Sequence, residues 1–310
     1  MKHQAVEFSS EVPSEKIRAD LYTPETGEGP WPVVVMGGGW CYVKELIMPE
    51  YAKYFIDQGI AALIFDYRHS GASDGMPRQH LDPWKQIRDF SSCVDAICYD
   101  PQFKGILDAD RIGAWGISYA GGHALAVAAL EPRVKAVVSQ IPIIDGWYNS
   151  MRAHGSVGFR EVTAKVKADR KQRFLTGIDG TIPHSGDPKT EVVCWPHPET
   201  KPIFMDIKAR SAPRHEHYST TQSIELLWAF NMRPYLPRIL DTPTLMIVAE
   251  GDDLTMWEQE VPAFSDIATT KKKLFVQRSS SHMSMYSDLS HLAIAATEAA
   301  NWYREWLIEN

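Results

Sequence analysis

The chain has 310 residues, of which 44% are hydrophobic and 23% charged, a composition that excludes a disordered polymer and leaves ample chain for a folded core. Its net charge of −7 argues against a surface for phosphate-rich partners, which call for clustered Lys and Arg, so neither nucleic acid nor a membrane is expected as a partner. The one basic run, Lys271 to Lys273, reads as the solvated entry to a strand.

The N-terminal stretch MKHQAVEFSSEVPSEK lacks a signal-like apolar segment, and no run of about 18 apolar residues follows, so a cytoplasmic location is expected. Gln4 to Phe8 and Ile17 to Tyr22 alternate like strands around a turn at Pro13 and predict a hairpin. Val33 to Met36 is a continuous apolar run suited to a strand buried on both faces, and it ends in Gly37, Gly38 and Gly39. A helix over roughly Pro49 to Gln58, ended by Gly59, and a second buried strand over Ala61 to Phe65 come next. The segment DYRHSGASDGMPRQ reads as a loop, after which Asp82 caps a helix from Pro83 with one apolar stripe: Trp84, Ile87, Phe90, Val94 and Ile97. Cys93 and Cys98 fall in this helix; with Cys41 and Cys194 they form no C-x-x-C pattern, and free thiols are expected.

Ile112 to Trp115 is a third short apolar strand, and RIGAWGISYAGGH continues it through a tight turn carrying Ser118 into a helix over Ala120 to Leu130. A serine on such a turn projects its hydroxyl from the sheet, and the next N–H, that of Tyr119, faces an oxygen gaining negative charge. The pattern is G-x-S-x-A, with Ala120 where glycine is usual. After Val134 to Ser139, strands alternating with helices predict an α/β fold with a mostly parallel, doubly wound sheet. Between 145 and 240 that alternation stops. The amphipathic pieces Val157 to Phe174 and Ser223 to Phe230 flank a Pro- and His-bearing stretch, which predicts an inserted, mainly helical cap within a core made of 1–144 and 241–310. Trp147, Tyr148 and Phe159 are expected in the core of that insertion, with some of them lining a pocket over Ser118. The alternation resumes with a strand over Thr244 to Ala249, a helix over Trp257 to Ile267, a strand over Leu274 to Gln277 and a closing helix over Leu289 to Leu307.

In an open parallel sheet, ligands bind beyond the carboxyl ends of the strands. Ser118 stands at one such end, Asp252 and Asp253 at another, and His282 just past a third. A serine hydroxyl near pH 7 needs an imidazole to accept its proton, and the imidazole needs an acid to orient it. Asp252 fits the acid position better than Asp253, because Ala249 precedes it by three residues and Leu254 follows by two; Asp145, after the preceding strand, is a more distant candidate. The second oxyanion donor is assigned to the backbone N–H of Trp40, with Gly39 next, since the glycine run lacks the G-x-x-x-x-G-K-[ST] spacing of a phosphate loop. His215 and His217 lie on one side of an extended segment, but zinc takes three or four ligands and no third is evident. No metal or other cofactor is expected.

These passages, with VVVMGGGWCYVKE, FDYRHSGASDGMPRQHLDP and HMSMY, resemble the α/β-hydrolase superfamily over nearly the whole chain. The likeness is strongest to its capped dienelactone-hydrolase-like or X-Pro-dipeptidyl-peptidase-like branch, with fungal polyketide transferases among the relatives. The resemblance implies an α/β-hydrolase fold, Ser118 as nucleophile, His282 as base, Asp252 as acid, and Trp40 and Tyr119 as oxyanion donors. The sequence departs from relatives at Gly38 and Gly39, often His-Gly, and at Ser284, often acidic. The expected activity is hydrolysis of a small-molecule ester, lactone or thioester through an acyl-enzyme, with acyl transfer by the same site or a non-catalytic ligand-binding role as alternatives. A homodimer is compatible with the sequence, which does not define the oligomeric state.

Overall fold

The computed structural model describes residues 1–310. The chain starts with β1 (Lys2–Ser9) and β2 (Lys16–Thr23), an antiparallel hairpin in the register Lys2 with Thr23 to Ser9 with Lys16. Next come β3 (Trp31–Gly37), α1 (Met48–Ile56), β4 (Ala61–Phe65) and α2 (Pro83–Tyr99). The Asp82 side chain accepts hydrogen bonds from the N–H groups of Trp84 and Lys85, while Pro83 contributes no donor in the first turn, so the start of α2 is fixed locally.

The central elements are β5 (Leu107–Ile117), α3 (Tyr119–Leu130) and β6 (Val134–Gln140). Within 145–240 lie α4 (Gly146–Thr176), β7 (Thr181–Pro183), α5 (Thr200–Arg210), β8 (Tyr218–Thr220) and α6 (Thr221–Trp228). The chain closes with β9 (Thr244–Ala249), α7 (Trp257–Asp266), β10 (Lys272–Gln277), α8 (Ser284–Ser287) and α9 (Leu289–Arg304).

Eight strands form one sheet in the order β1-β2-β4-β3-β5-β6-β9-β10, and every pairing from β4 to β10 is parallel. The central strands are covered on both faces, which is why β3, β4 and β9 read as unbroken apolar runs rather than alternating ones. Their carboxyl ends lie on one edge, where Gly37, Ile117 and Ala249 each hand the chain to a turn.

No strand of this sheet comes from 145–240. The expected helical pieces are present, but a two-stranded ribbon of β7 and β8 also pairs there, in antiparallel register Thr181 with Thr220 to Pro183 with Tyr218. Strands of three residues are too short for periodicity to register. The segment is bonded to the loop after β4: Thr220 N–H donates to Gln79 O at 2.8 Å, and Leu81 N–H to Ser223 Oγ at 2.8 Å.

Candidate active site

Ser118 links β5 to α3 with φ 59° and ψ −123°, a left-handed backbone that a non-glycine residue adopts only where its surroundings enforce it. Its N–H donates to Gln140 O at 2.9 Å, and its carbonyl accepts from Gly121 at 2.8 Å and Ile143 at 3.2 Å, so neighbouring backbone holds the turn. The glycine at 116 is obligatory, because a Cβ there would lie 1.9 Å from Ala120 O. Ala120 is itself fully buried and accommodated, so the second small position tolerates a methyl group. Tyr119 opens α3; its N–H is among the first of the helix, which lack intrahelical acceptors and carry the positive end of the helix dipole.

The turn after β3 approaches the same point. A Cβ on Gly39 would stand 3.2 Å from Ser118 Cβ, and Trp40 packs edge-on against Tyr119 with ring centres 5.0 Å apart. The Asp66 carboxylate accepts from Lys44 N–H at 2.7 Å and Ala72 N–H at 2.8 Å, fastening this turn to the loop after β4.

The remaining residues come from the ends of β9 and β10. These two loops are joined by Glu250 N–H to Gln277 O at 3.0 Å and Gly251 N–H to Ser280 O at 2.9 Å. His282 Nδ1 lies 2.8 Å from Asp252 Oδ2, and both residues are buried. Asp252 Oδ1 accepts from Leu254 N–H at 2.9 Å and Thr255 N–H at 2.8 Å. Burial works to raise the Asp252 carboxyl, but the His282 charge, its hydrogen bond and the two N–H donors outweigh burial and hold it below the usual carboxylate range. An ionised Asp252 only accepts, so His282 Nδ1 donates to it.

Asp253 is exposed, and Asp145 is engaged elsewhere: it caps α4 through Tyr148 N–H at 2.9 Å and accepts from Asn231 Nδ2 at 2.8 Å.

Three residues given no role in the sequence reading surround this pair, two in contact with His282 and one behind Thr255. The Tyr286 hydroxyl is 3.4 Å from His282 Nε2, Thr255 Oγ1 is 3.2 Å from Nδ1, and Thr255 donates to Glu260 Oε1 at 3.0 Å. Glu260 is wholly buried, and burial, followed by the nearby Asp252 charge, raises its carboxyl well above the ordinary range. No motif marks Thr255 or Glu260; Tyr286 closes the HMSMY passage, four residues past His282, at a spacing that hints at contact.

Ser118 and His282 line one narrow cavity, walled largely by Trp40, Tyr42, Trp195, Phe204 and Tyr286. Its walls from the inserted segment are His184, Trp195, Thr200 and Phe204. Trp147, Tyr148 and Phe159 are absent from the lining, contrary to expectation. Trp147 stacks edge-on with Phe159, and Phe159 packs on Trp228, because α4 runs beside α6 while the stretch around 184–204 crosses the cavity.

The family model described as X-Pro dipeptidyl-peptidase (S15 family) matches residues 14–284. The acyltransferase drtE of Aspergillus calidoustus is 30% identical over 263 residues, covering 83% of this chain and 81% of its own. The thiohydrolase aneE of Aspergillus aculeatus is 28% identical over 296 residues, covering 93% and 86%. The α/β hydrolase GrgF from Penicillium sp. sh18 superposes with a TM-score of 0.81 at 21% identity, covering 99% of each chain. The fold is that of the α/β-hydrolases.

Proposed function

The chain belongs to the X-Pro dipeptidyl-peptidase (S15) family, and from that membership we propose that it is a serine hydrolase cleaving an ester, lactone or thioester of a small organic molecule through a Ser118 acyl-enzyme. The observation that carries this reading is the buried 2.8 Å contact between His282 and Asp252, facing the cavity that also holds Ser118.

Ser118 Oγ attacks the carbonyl carbon while His282 Nε2 takes its proton; the two share no hydrogen bond in the structure, where Nε2 faces the Tyr286 hydroxyl, and catalytic bonds of this kind commonly form only once substrate is bound. Asp252 holds the Nδ1–H tautomer and stabilises the imidazolium. The backbone N–H groups of Tyr119 and Trp40 receive the oxyanion. His282 returns the proton to the leaving oxygen or sulfur, and water activated by the same Nε2 then cleaves the acyl-enzyme. Residues 145–240 act as the cap that shapes the acyl pocket. The lining contains no carboxylate to meet the α-ammonium of a peptide, which favours an ester or thioester over a dipeptide as substrate.

The aromatic-walled cavity supports one second reading, in which an alcohol or amine replaces water and the acyl group is transferred. A fluorophosphonate probe and a short-chain nitrophenyl ester test the common step. Ser118→Ala should abolish labelling and lower kcat by about 10³-fold or more; unlabelled wild-type protein, or full turnover by the variant, removes the serine mechanism. Product partition with added alcohol separates hydrolysis from transfer.

A further inference from the structure

Beside the Ser118 cavity, the inserted segment gathers three more histidines. Pairing of β7 with β8 lays the stretch after Pro183 along the stretch before Tyr218, and His184 N–H donates to His217 O at 2.9 Å. One ring nitrogen from each of His184, His215 and His217 lies within 4.8 Å of the others. His184 and His215 are buried and His217 is half-buried.

The hydrogen bonds around the rings give the cluster a direction. His215 Nδ1 lies 3.0 Å from Cys41 O and must donate to it, which leaves the Nε2 lone pair facing inward. That Nε2 is 3.1 Å from His217 Nδ1, and His217 Nε2 is 2.8 Å from Ser185 Oγ. Two rings are therefore anchored by oxygen partners at one nitrogen while their other nitrogens face each other, the arrangement in which metal-binding histidines are held. Two imidazole nitrogens on a tetrahedral zinc, each about 2.0–2.1 Å from it, lie roughly 3.3 Å apart, close to the 3.1 Å between His215 Nε2 and His217 Nδ1, while the His184 nitrogen lies within 4.8 Å of these two. His184 Nδ1 is buried with no hydrogen-bond partner.

We propose that His184, His215 and His217 form a binding site for one divalent transition cation of the zinc type, at the edge of the acyl pocket. The cation takes the place of the single proton shared by His215 Nε2 and His217 Nδ1. His217 then carries its proton on Nε2, where Ser185 Oγ accepts it. Three imidazoles without a carboxylate select Zn2+, Co2+, Ni2+ or Cu2+ over Mg2+ and Ca2+. Lys201 and Lys208 act on the cluster electrostatically and oppose a cation, but Lys201 is exposed and Lys208 only partly covered, so solvent screens them. Because His215 is bonded to Cys41, next to Trp40, the ion would tie the β7–β8 ribbon to the turn beside Ser118.

Chelator-treated full-length protein titrated with Zn2+ by calorimetry should bind one ion per chain and show a higher Tm, since an ion bound only by the folded chain stabilises it. Co2+ should give the visible ligand-field bands of a four-coordinate site. His184→Ala and His217→Ala should each weaken binding at least tenfold, whereas exposed His3→Ala should not. Where a variant fails to fold, a zinc-soaked crystal of the wild-type chain decides, with an anomalous peak expected among the three rings. Absent Co2+ bands, affinity unchanged in both cluster variants, or a peak elsewhere would overturn the site. None of these readouts needs turnover, so they stand apart from the serine chemistry.

Discussion

Two carboxyl groups behind His282 are driven in opposite directions. Asp252, hydrogen-bonded and facing His282, lies below the usual range, so its contribution to stability is present above the unfolded value of about 3.9 and is lost as pH falls through its lower folded value. Glu260, buried first and then repelled by Asp252, lies well above the usual range. The stability associated with its proton is complete below the unfolded value of about 4.3 and declines as pH rises towards the folded value. Glu260→Gln has no proton to lose, so the Tm difference, variant minus wild type, should grow from pH 5 to pH 8. Parallel Tm curves over that range would show that Glu260 does not titrate differently in the folded and unfolded chain. Thr255, between Glu260 and His282, lets the folded chain place an uncharged acid beside a charged one.

At the level of elements, the loop after β4 is pinned to α2 by a buried ion pair: Arg68 Nε lies 2.5 Å from Asp89 Oδ1, and Arg68 N–H donates to Asp89 Oδ2 at 3.0 Å. Arg68 is 3% exposed and Asp89 0%, and burial raises the Asp89 carboxyl to about 7 against the opposing pull of Arg68, so Arg68→Ala removes the counter-charge of a buried acid and should cost about 3–5 kcal/mol in denaturant unfolding at pH above that value and less below it. A loss below about 1 kcal/mol would mean that water or another cation reaches Asp89. The sequence foretells the buried strands best. Ala61–Phe65 and Thr244–Ala249 have the same bounds in sequence pattern and structure, because unbroken apolar runs flanked by turn residues have few other ways to fold. The Asp82 cap is legible for a similar local reason. The ribbon of β7 and β8 is not, since three-residue strands form only through partners far along the chain. The same limit hides Glu260 and the meeting of His184 with His217, whereas Ser118, Asp252 and His282 each follow a strand whose end could be placed.

Across the whole molecule, the cavity is closed by aromatic rings on both sides, Trp40 and Tyr42 from the sheet edge and Trp195 and Phe204 from the insertion. Phe204 stands edge-on to Tyr42, with ring centres 5.7 Å apart, and also packs on Tyr286. Such a wall accommodates a short acyl group more readily than a long one. Acetyl and butyryl nitrophenyl esters should therefore be turned over with higher kcat/KM than the dodecanoyl ester, and Phe204→Ala should narrow that gap. An unchanged chain-length profile in the variant would place the acyl group away from Phe204. No helix is long and apolar enough to cross a membrane.

The insertion contributes walls to the cavity, whereas Ser118, Asp252 and His282 stand at strand ends of the central sheet. On the proposed mechanism the reacting groups thus come from the core alone, whereas the pocket is walled by the core and the insertion together. Under the proposed serine mechanism, substitutions around 184–204 would re-tailor part of the pocket wall while Ser118, Asp252 and His282 keep their footing, so a lineage with this architecture could change diet without relearning its chemistry.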